Sequence, residues 1–191
     1  VVPVEAMRRF TTDVMAVVPE ITGRPVLDLG IGDIVITAFQ TAILIAVLVI
    51  FLILLITLRS LVDSILVFIP LAMTAMLTLS VSVLMDLPLN MANVVVIPLI
   101  FGLGVDNGIH IVKRFHQSSN VEALMHSSTP KAVFLSNLTT LGTFSALSFS
   151  SHQGIYSIGI LLTIALTSLI FLTLVSLPAL LATFSTPHSK P

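Results

Sequence analysis

Apolar positions run nearly unbroken through most of this chain, and the interruptions are short and polar. Ile34 to Leu58 is the first such run, closed by Arg59. Leu61 to Met85 is the second, with Pro70 inside it and Asp86-Leu87-Pro88-Leu89 as a tight connection after it. The third covers residues 90–114, the fourth 130–150 and the fifth 155–184. A membrane-crossing helix takes about 20 apolar residues, and each run reaches that length. The runs are continuous rather than alternating, which predicts helices and not a barrel. The fifth run exceeds one perpendicular crossing but contains no polar turn, so a single tilted helix is expected. Between the third and fourth runs, Gln117 to Thr129 reads as a polar loop with a short interfacial helix around Val121 to Met125. Ser151 to Gly154 turns the chain once more.

Residues 1–33 follow a different pattern. Val4, Met7, Val14, Met15 and Val18 are spaced as one face of an amphipathic helix, which Pro19 should end. Thr22-Gly23-Arg24-Pro25 reads as a turn, Val26 to Leu29 as a short strand, and Gly30 to Asp33 as a second turn. Such a piece cannot bury a core by itself. It is expected to be the end of a larger soluble domain. The chain opens with Val1 rather than Met, which fits that expectation.

Composition sharpens the class. Of 191 residues, 56% are hydrophobic and 9% charged. Soluble domains carry about 25% charged residues. An all-α integral membrane protein with five spans is the expected fold. The polar N-terminus precedes the first long apolar run, so a cleavable signal peptide is not expected. There is no basic patch, and nucleic acid is not an expected partner. Cysteine is absent, which rules out disulfides and thiolate chemistry in this chain.

Charge predicts the topology. Arg59, Lys113, Arg114, Lys131 and Lys190 fall on one side of the five runs, while the loops near Asp86 and His152 hold no Lys or Arg. The positive-inside rule places the first group in the cytoplasm and residues 1–33 outside.

Inside the third run sits a carboxylate, Asp106. An ionisable group at the centre of a membrane helix costs roughly 2.5–3.5 kcal/mol on insertion scales, so it normally faces other helices or water. Gly104 and Gly108 bracket it as a G-x-x-x-G pair, and small residues four apart let another helix approach closely. Gly102, Asp106 and His110 share one face, with Asn107 beside it. Pro98 falls in mid-run and permits a kink there.

The fourth run is rich in hydroxyls, with Ser136, Thr139, Thr140, Thr143, Ser145 and Ser148 beside Asn137. Gly142 and Ala146 add a small-residue seam. Two readings stand side by side. The hydroxyls of Ser136, Thr139 or Thr140 reach Asp106 as partners for a carboxylate that gains and loses a proton. Alternatively they bond their own helix's carbonyls. A low-dielectric setting disfavours the charged carboxylate, which suits proton exchange.

Other chemistries fit less well. Intramembrane aspartyl proteases pair a G-x-G-D motif with a second aspartate, but Val105 intervenes here, and Asp63 and Asp86 lie at interfaces. Asp63 is expected to pair with Arg59 at i, i+4. A metal site from Asp106, His110 and His116 is disfavoured, because His116 lies on another face. His126, His152 and His188 read as loop residues, and Met73, Met76, Met85 and Met91 as packing or lipid-facing ones. No enzymatic activity, metal or organic cofactor is expected.

GLGVDNGIHIVKRF resembles the intramembrane motif of the resistance–nodulation–division (RND) superfamily, in its lipid-exporting, mycobacterial-membrane-protein-large (MMPL) branch. LRSLVDSILVFIPL before it and STPKAVFLSNLTTLGTFSALSFSSHQGIYSIGILLTI after it resemble that branch's flanking helices. Within the branch, the likeness is to the RND proteins that move hopanoids toward the bacterial outer membrane. The resemblance implies two homologous halves, each with six spans and a periplasmic domain after its first. Residues 1–33 would then be the end of the second periplasmic porter domain, 34–184 the last five spans, and 185–191 a cytoplasmic tail. It implies proton-driven export of a hydrophobic lipid from the inner membrane, with Asp106 as the proton carrier. The threonines of the fourth run, Thr139 and Thr140 among them, match positions that accompany that carrier; Ser136 and Asn107 are expected in the same relay, and Asn107 stands where many relatives have Tyr. The implied partners are the lipid and the rest of the same transporter; a homo-oligomer is compatible. Non-transporting RND relatives, such as protein-translocation accessories and sterol-sensing modules, share the fold.

Overall fold

A computed structural model describes residues 4–18, 24–87, 93–118 and 120–185. These residues are helical nearly throughout and contain no strand. Five helical stretches are long and apolar enough to cross a membrane: Thr37–Leu58, Leu61–Leu84, Asn93–Gln117, Ser128–Phe149 and Gln153–Phe184. They match the five runs of the sequence. The chain divides into two compact units, residues 1–42 and 43–191.

In the first unit, α1 spans Val4–Val17, as its periodicity predicts. Thr11 and Thr12 turn their hydroxyls back onto the carbonyls of Met7 and Arg8. The helix α2 spans Arg24–Leu58 and continues into the second unit. Its start corrects the expected turn, strand and turn: residues 24–33 are all helix, while Thr22 and Gly23 lie outside the described residues. The physical reason is cooperativity. Extending an existing helix adds one hydrogen bond per residue fixed, whereas a four-residue strand needs a partner strand. Pro25 falls in the first turn, where the backbone N–H has no helical acceptor anyway. At 1.5 Å per residue the 35-residue helix is about 52 Å long, well beyond a hydrocarbon core of about 30 Å.

The second unit is built on α3 (Leu61–Leu84), α4 (Val96–Gln117) and α7 (Gln153–Phe171). A two-residue joint, Arg59-Ser60, separates α2 from α3. Arg59 takes a left-handed φ of 53°, and the Ser60 hydroxyl accepts the Asp63 amide N–H at 3.2 Å, capping α3. Leu66, Val67, Leu71, Ile111, Leu166 and Leu169 form the centre of the core. Phe68 on α3 stacks on Phe101 of α4 and meets Phe51 of α2 edge-on.

Pro98 is the third residue of α4, behind a 3-10 turn at Asn93–Val95. It therefore lies near the start of the span and not at the mid-run kink expected. The first four N–H groups of a helix lack intrahelical acceptors, so proline fits there without loss.

After α4 come α5 (Val121–His126) and α6 (Ser128–Ser145), the latter extended by a 3-10 turn at Ala146–Phe149. Asn120 caps α5 by accepting the Ala123 N–H at 2.8 Å. The last span is one continuous helical rod, α7, then a π turn at Leu172–Ser176, then α8 (Leu177–Phe184). Leu177 donates to the carbonyl of Leu172, one residue further back than in an α-helix. Pro178 explains the wide turn. It has no N–H for the carbonyl four residues earlier, and its ring crowds that carbonyl, so the backbone opens by one residue.

Candidate functional site

Asp106 lies one residue from the midpoint of the Asn93–Gln117 span. Its side chain is 75% exposed within this chain, and Oδ1 is 3.4 Å from Nε2 of His110, itself 59% exposed. The two belong to a stripe. The exposed residues of α4 are Gly102, Asp106, His110, Lys113 and Gln117, at steps of four, four, three and four. None of the five has an apolar side chain. On α3 the exposed positions are apolar except for Ser80, with Leu61, Val62, Ile65, Ile69, Met73 and Met76 outward. The α3 face suits lipid tails. The α4 face does not, because each charged group held against hydrocarbon costs kilocalories.

Asn107 is one residue further on, rotated about 100° around the helix. That rotation takes it into the bundle, where it is buried. Its Nδ2 donates to Oδ1 of Asn137 on α6 at 3.0 Å, and Asn137 Nδ2 donates to the Val133 carbonyl at 2.7 Å. Each amide of the pair thus has a partner, which a buried polar group requires. Neighbours in sequence, Asp106 and Asn107 serve different surfaces. Asn137 was visible as one polar residue among many in the fourth run, and nothing in its spacing singled it out.

The hydroxyls expected to reach Asp106 are engaged locally. Thr139 and Thr140 both donate to the carbonyl of Ser136, at 2.7 and 3.0 Å, and Thr143 donates to that of Thr139. Ser136 and Thr139 are exposed and Thr140 is partly so. Among the described residues, Asp106 is joined to His110 and not to α6. A threonine one turn beyond a carbonyl finds that acceptor without any rearrangement, so the local bond wins over a distant one.

The four glycines separate into two pairs. At Gly104 an added Cβ would collide with Leu71 Cδ2 and come within 2.8 Å of Leu169 Cδ1; at Gly108 it would collide with Val67 Cγ1. The G-x-x-x-G pair is thus the seat of α3 and α7 against α4. Gly102 and Gly142 face open space, so the expectation that they pack helices is not met within this chain. Gly159, absent from the expected set, is hemmed in by main chain: a Cβ there would meet the Leu147 and Ser148 backbone.

A second polar cluster ties the ends of the helices together. Asp63, in the first turn of α3, has a side chain only 5% exposed. Its Oδ2 is 2.9 Å from His116 Nε2 at the end of α4, and its Oδ1 accepts from the Ser185 hydroxyl at 2.8 Å, just past α8. The expected partner, Arg59, is replaced by these two. The left-handed backbone at Arg59 takes that residue out of the helix, so the i, i+4 spacing no longer brings it to Asp63. His116 accordingly serves Asp63 and not the neighbourhood of Asp106 and His110.

The profile of the MMPL family matches residues 10–190. This chain belongs to the MMPL family. Among individual MMPL relatives, it is similar to the hopanoid transporter HpnN of Rhodopseudomonas palustris (strain TIE-1), 39% identical over 177 residues, covering 93% of this chain and 20% of that protein. It is also similar to the hopanoid transporter HpnN of Burkholderia multivorans (strain ATCC 17616 / 249), 34% identical over 175 residues, covering 92% of this chain and 20% of that protein. The chain spans about a fifth of the length of these MMPL relatives.

Proposed function

We propose that this chain is the closing membrane section of a proton-driven exporter. The exporter moves a hydrophobic lipid of the hopanoid class from the bacterial inner membrane toward the outer membrane. The observation that carries the reading is Asp106, a carboxylate at the midpoint of an apolar span on a stripe that has no apolar side chain. The names of the two relatives supply the cargo class.

The physical role of Asp106 is to take up a proton from one side and release it to the other. A proton crossing the full membrane potential releases about 2.3 kcal/mol per 100 mV. Charge on Asp106 changes how well its face tolerates a dry neighbour, so the two protonation states favour two packings of the stripe. That is the differential interaction a population shift requires. The neighbour is the rest of the same transporter, which in the relatives makes up the other four-fifths of the length. Ser136, Thr139 and Thr140 are the further hydroxyls proposed for the relay; those of Thr139 and Thr140, which donate to the Ser136 carbonyl, rotate away when a better acceptor arrives. Arg59, Lys113, Arg114 and Lys131 lie on the cytoplasmic side, and the N-terminal segment lies in the periplasm.

The test uses the complete transporter in proteoliposomes with an imposed pH gradient. The wild type releases labelled hopanoid to an acceptor membrane, and Asp106→Asn does not. Export by Asp106→Asn at the wild-type rate would refute the reading.

A further inference from the structure

The stripe on α4 is polar in a directional way. From Asp106 it runs through His110 and Lys113 to Gln117, toward the end of the helix that carries Lys113 and Arg114. The distance from Asp106 to Gln117 along the axis is about 16 Å, close to half of a 30 Å hydrocarbon core. In the other direction the exposed described residues of the span are Gly102 and Val95, neither with a polar side chain. A mid-membrane carboxylate thus has a line of polar side chains leading to one surface. The first member of that line holds a titratable nitrogen 3.4 Å from the carboxylate.

We propose that His110 carries protons between Asp106 and the Lys113–Gln117 end of α4. The proposal rests on the reading that Asp106 is the transported proton's carrier. In the release step, the O–H bond of protonated Asp106 breaks and an N–H bond forms at Nε2 of neutral His110. The products are a carboxylate and an imidazolium. The imidazolium then loses the proton from Nδ1 to water at the polar end of the stripe, leaving a neutral ring. The net change is one proton moved from the Asp106 carboxyl to water, leaving a carboxylate and hydronium; the ring, now carrying its hydrogen on Nε2, returns to the Nδ1–H tautomer by proton exchange with water before the next transfer. A neutral imidazole is suited to this because it accepts at one nitrogen and donates from the other.

The surroundings leave His110 to this task. Charged or titratable groups on the elements packed against α4 are Asp63 on α3, Glu122 and His126 on α5, Lys131 on α6 and Tyr156 on α7. Asp63 is committed to His116. Among the described residues, none of the five bonds His110. Asn107, the other neighbour of Asp106 in sequence, is held by Asn137 and cannot shuttle.

The experiment uses the complete transporter in proteoliposomes, comparing wild type, His110→Gln and Asp106→Asn across pH 5.5 to 8 on the cytoplasmic face. Glutamine keeps polarity and bulk but has no titrating nitrogen. The expected result is that His110→Gln lowers the rate roughly tenfold or more, as loss of a proton-transfer group does, and flattens its dependence on cytoplasmic pH. A wild-type rate and pH profile in His110→Gln, with Asp106→Asn inactive, overturns the role of His110 alone. A reduced rate that keeps the wild-type pH profile also overturns it, since that marks a structural role. Normal export by Asp106→Asn overturns the reading beneath it as well.

Discussion

Asn107 and Asn137 face each other across the α4–α6 seam through a buried amide bond of 3.0 Å, while Asp106, the preceding residue, is turned outward. The seam therefore fixes where the carboxylate points. A one-residue rotation of α4 that brought Asp106 to the place of Asn107 would bury the carboxylate and move Asn107 to the buried place of Gly108. The amide pair is an inter-helix lock whose setting decides which α4 side chain is turned outward.

The lock has a measurable strength. Hydrogen bonds between membrane helices average about 0.6 kcal/mol in double-mutant cycles, with a maximum near 1.7. Both partners here are buried, and removal of one leaves the other unsatisfied, so a value in the upper part of that range is expected. Asn137→Ala and Asn107→Ala, combined in a cycle and read by reversible unfolding of the complete protein in mixed micelles, should give a coupling of about 1–1.7 kcal/mol. Additive single effects would show that the bond contributes nothing.

The glycines make an internally controlled series. Alanine at Gly104 or Gly108 drives a methyl into Leu71 or Val67, and overpacking of that kind typically costs about 1–3 kcal/mol. Val67 is β-branched and stiff at χ1, so it yields poorly. Alanine at Gly142, where nothing lies within 4 Å of the added carbon, should instead gain roughly 0.5–1 kcal/mol from helix propensity. Gly159→Ala should be the worst of the set, because it meets backbone and not a movable side chain. Thermal unfolding of the purified variants ranks them.

Asp63 joins three helix ends that are distant in sequence. Removing one partner of a buried pair costs more than the pair itself contributes, about 3–5 kcal/mol where the remaining charge is fully buried. His116 is one-quarter exposed, so water can reach the site and His116→Ala should cost less, on the order of 2 kcal/mol. Ser185→Ala removes a single hydroxyl donor and should cost about 1 kcal/mol. Protease protection of the α3–α4 end should fall in the same order, and equal protection in all variants would show that the cluster ties nothing.

Much of this was legible in the sequence, and what was not has a common cause. Continuous apolar runs gave the five spans, because length and hydropathy alone decide whether a helix crosses a bilayer. The 3.6-residue period put Gly102, Asp106 and His110 on one face correctly. Period does not say which neighbour each face meets. It therefore leaves the fourth span's hydroxyls open between Asp106 and their own helix, and Thr139 and Thr140 take the Ser136 carbonyl about one turn away. The G-x-x-x-G pair was recognised as a seam, but its partners, Val67, Leu71 and Leu169, are long-range contacts with no local signal. Residues 24–33 misled because Gly30, Gly32 and Pro25 are turn residues in water, yet each is tolerated at the start of a long helix. Asp63 misled for the opposite reason: the spacing to Arg59 was correct, but the chain leaves the helix at Arg59 itself.

The central claim is that Asp106 moves a proton while lipid moves outward. It is tested most directly by trapping a pH-sensitive dye inside vesicles that hold the complete transporter, on the face bearing Lys113 and Arg114. An inward proton gradient is then applied with and without hopanoid. The wild type should acidify the lumen faster when lipid is present, and Asp106→Asn should show no lipid-dependent acidification. Lipid-dependent acidification that survives Asp106→Asn would contradict the account.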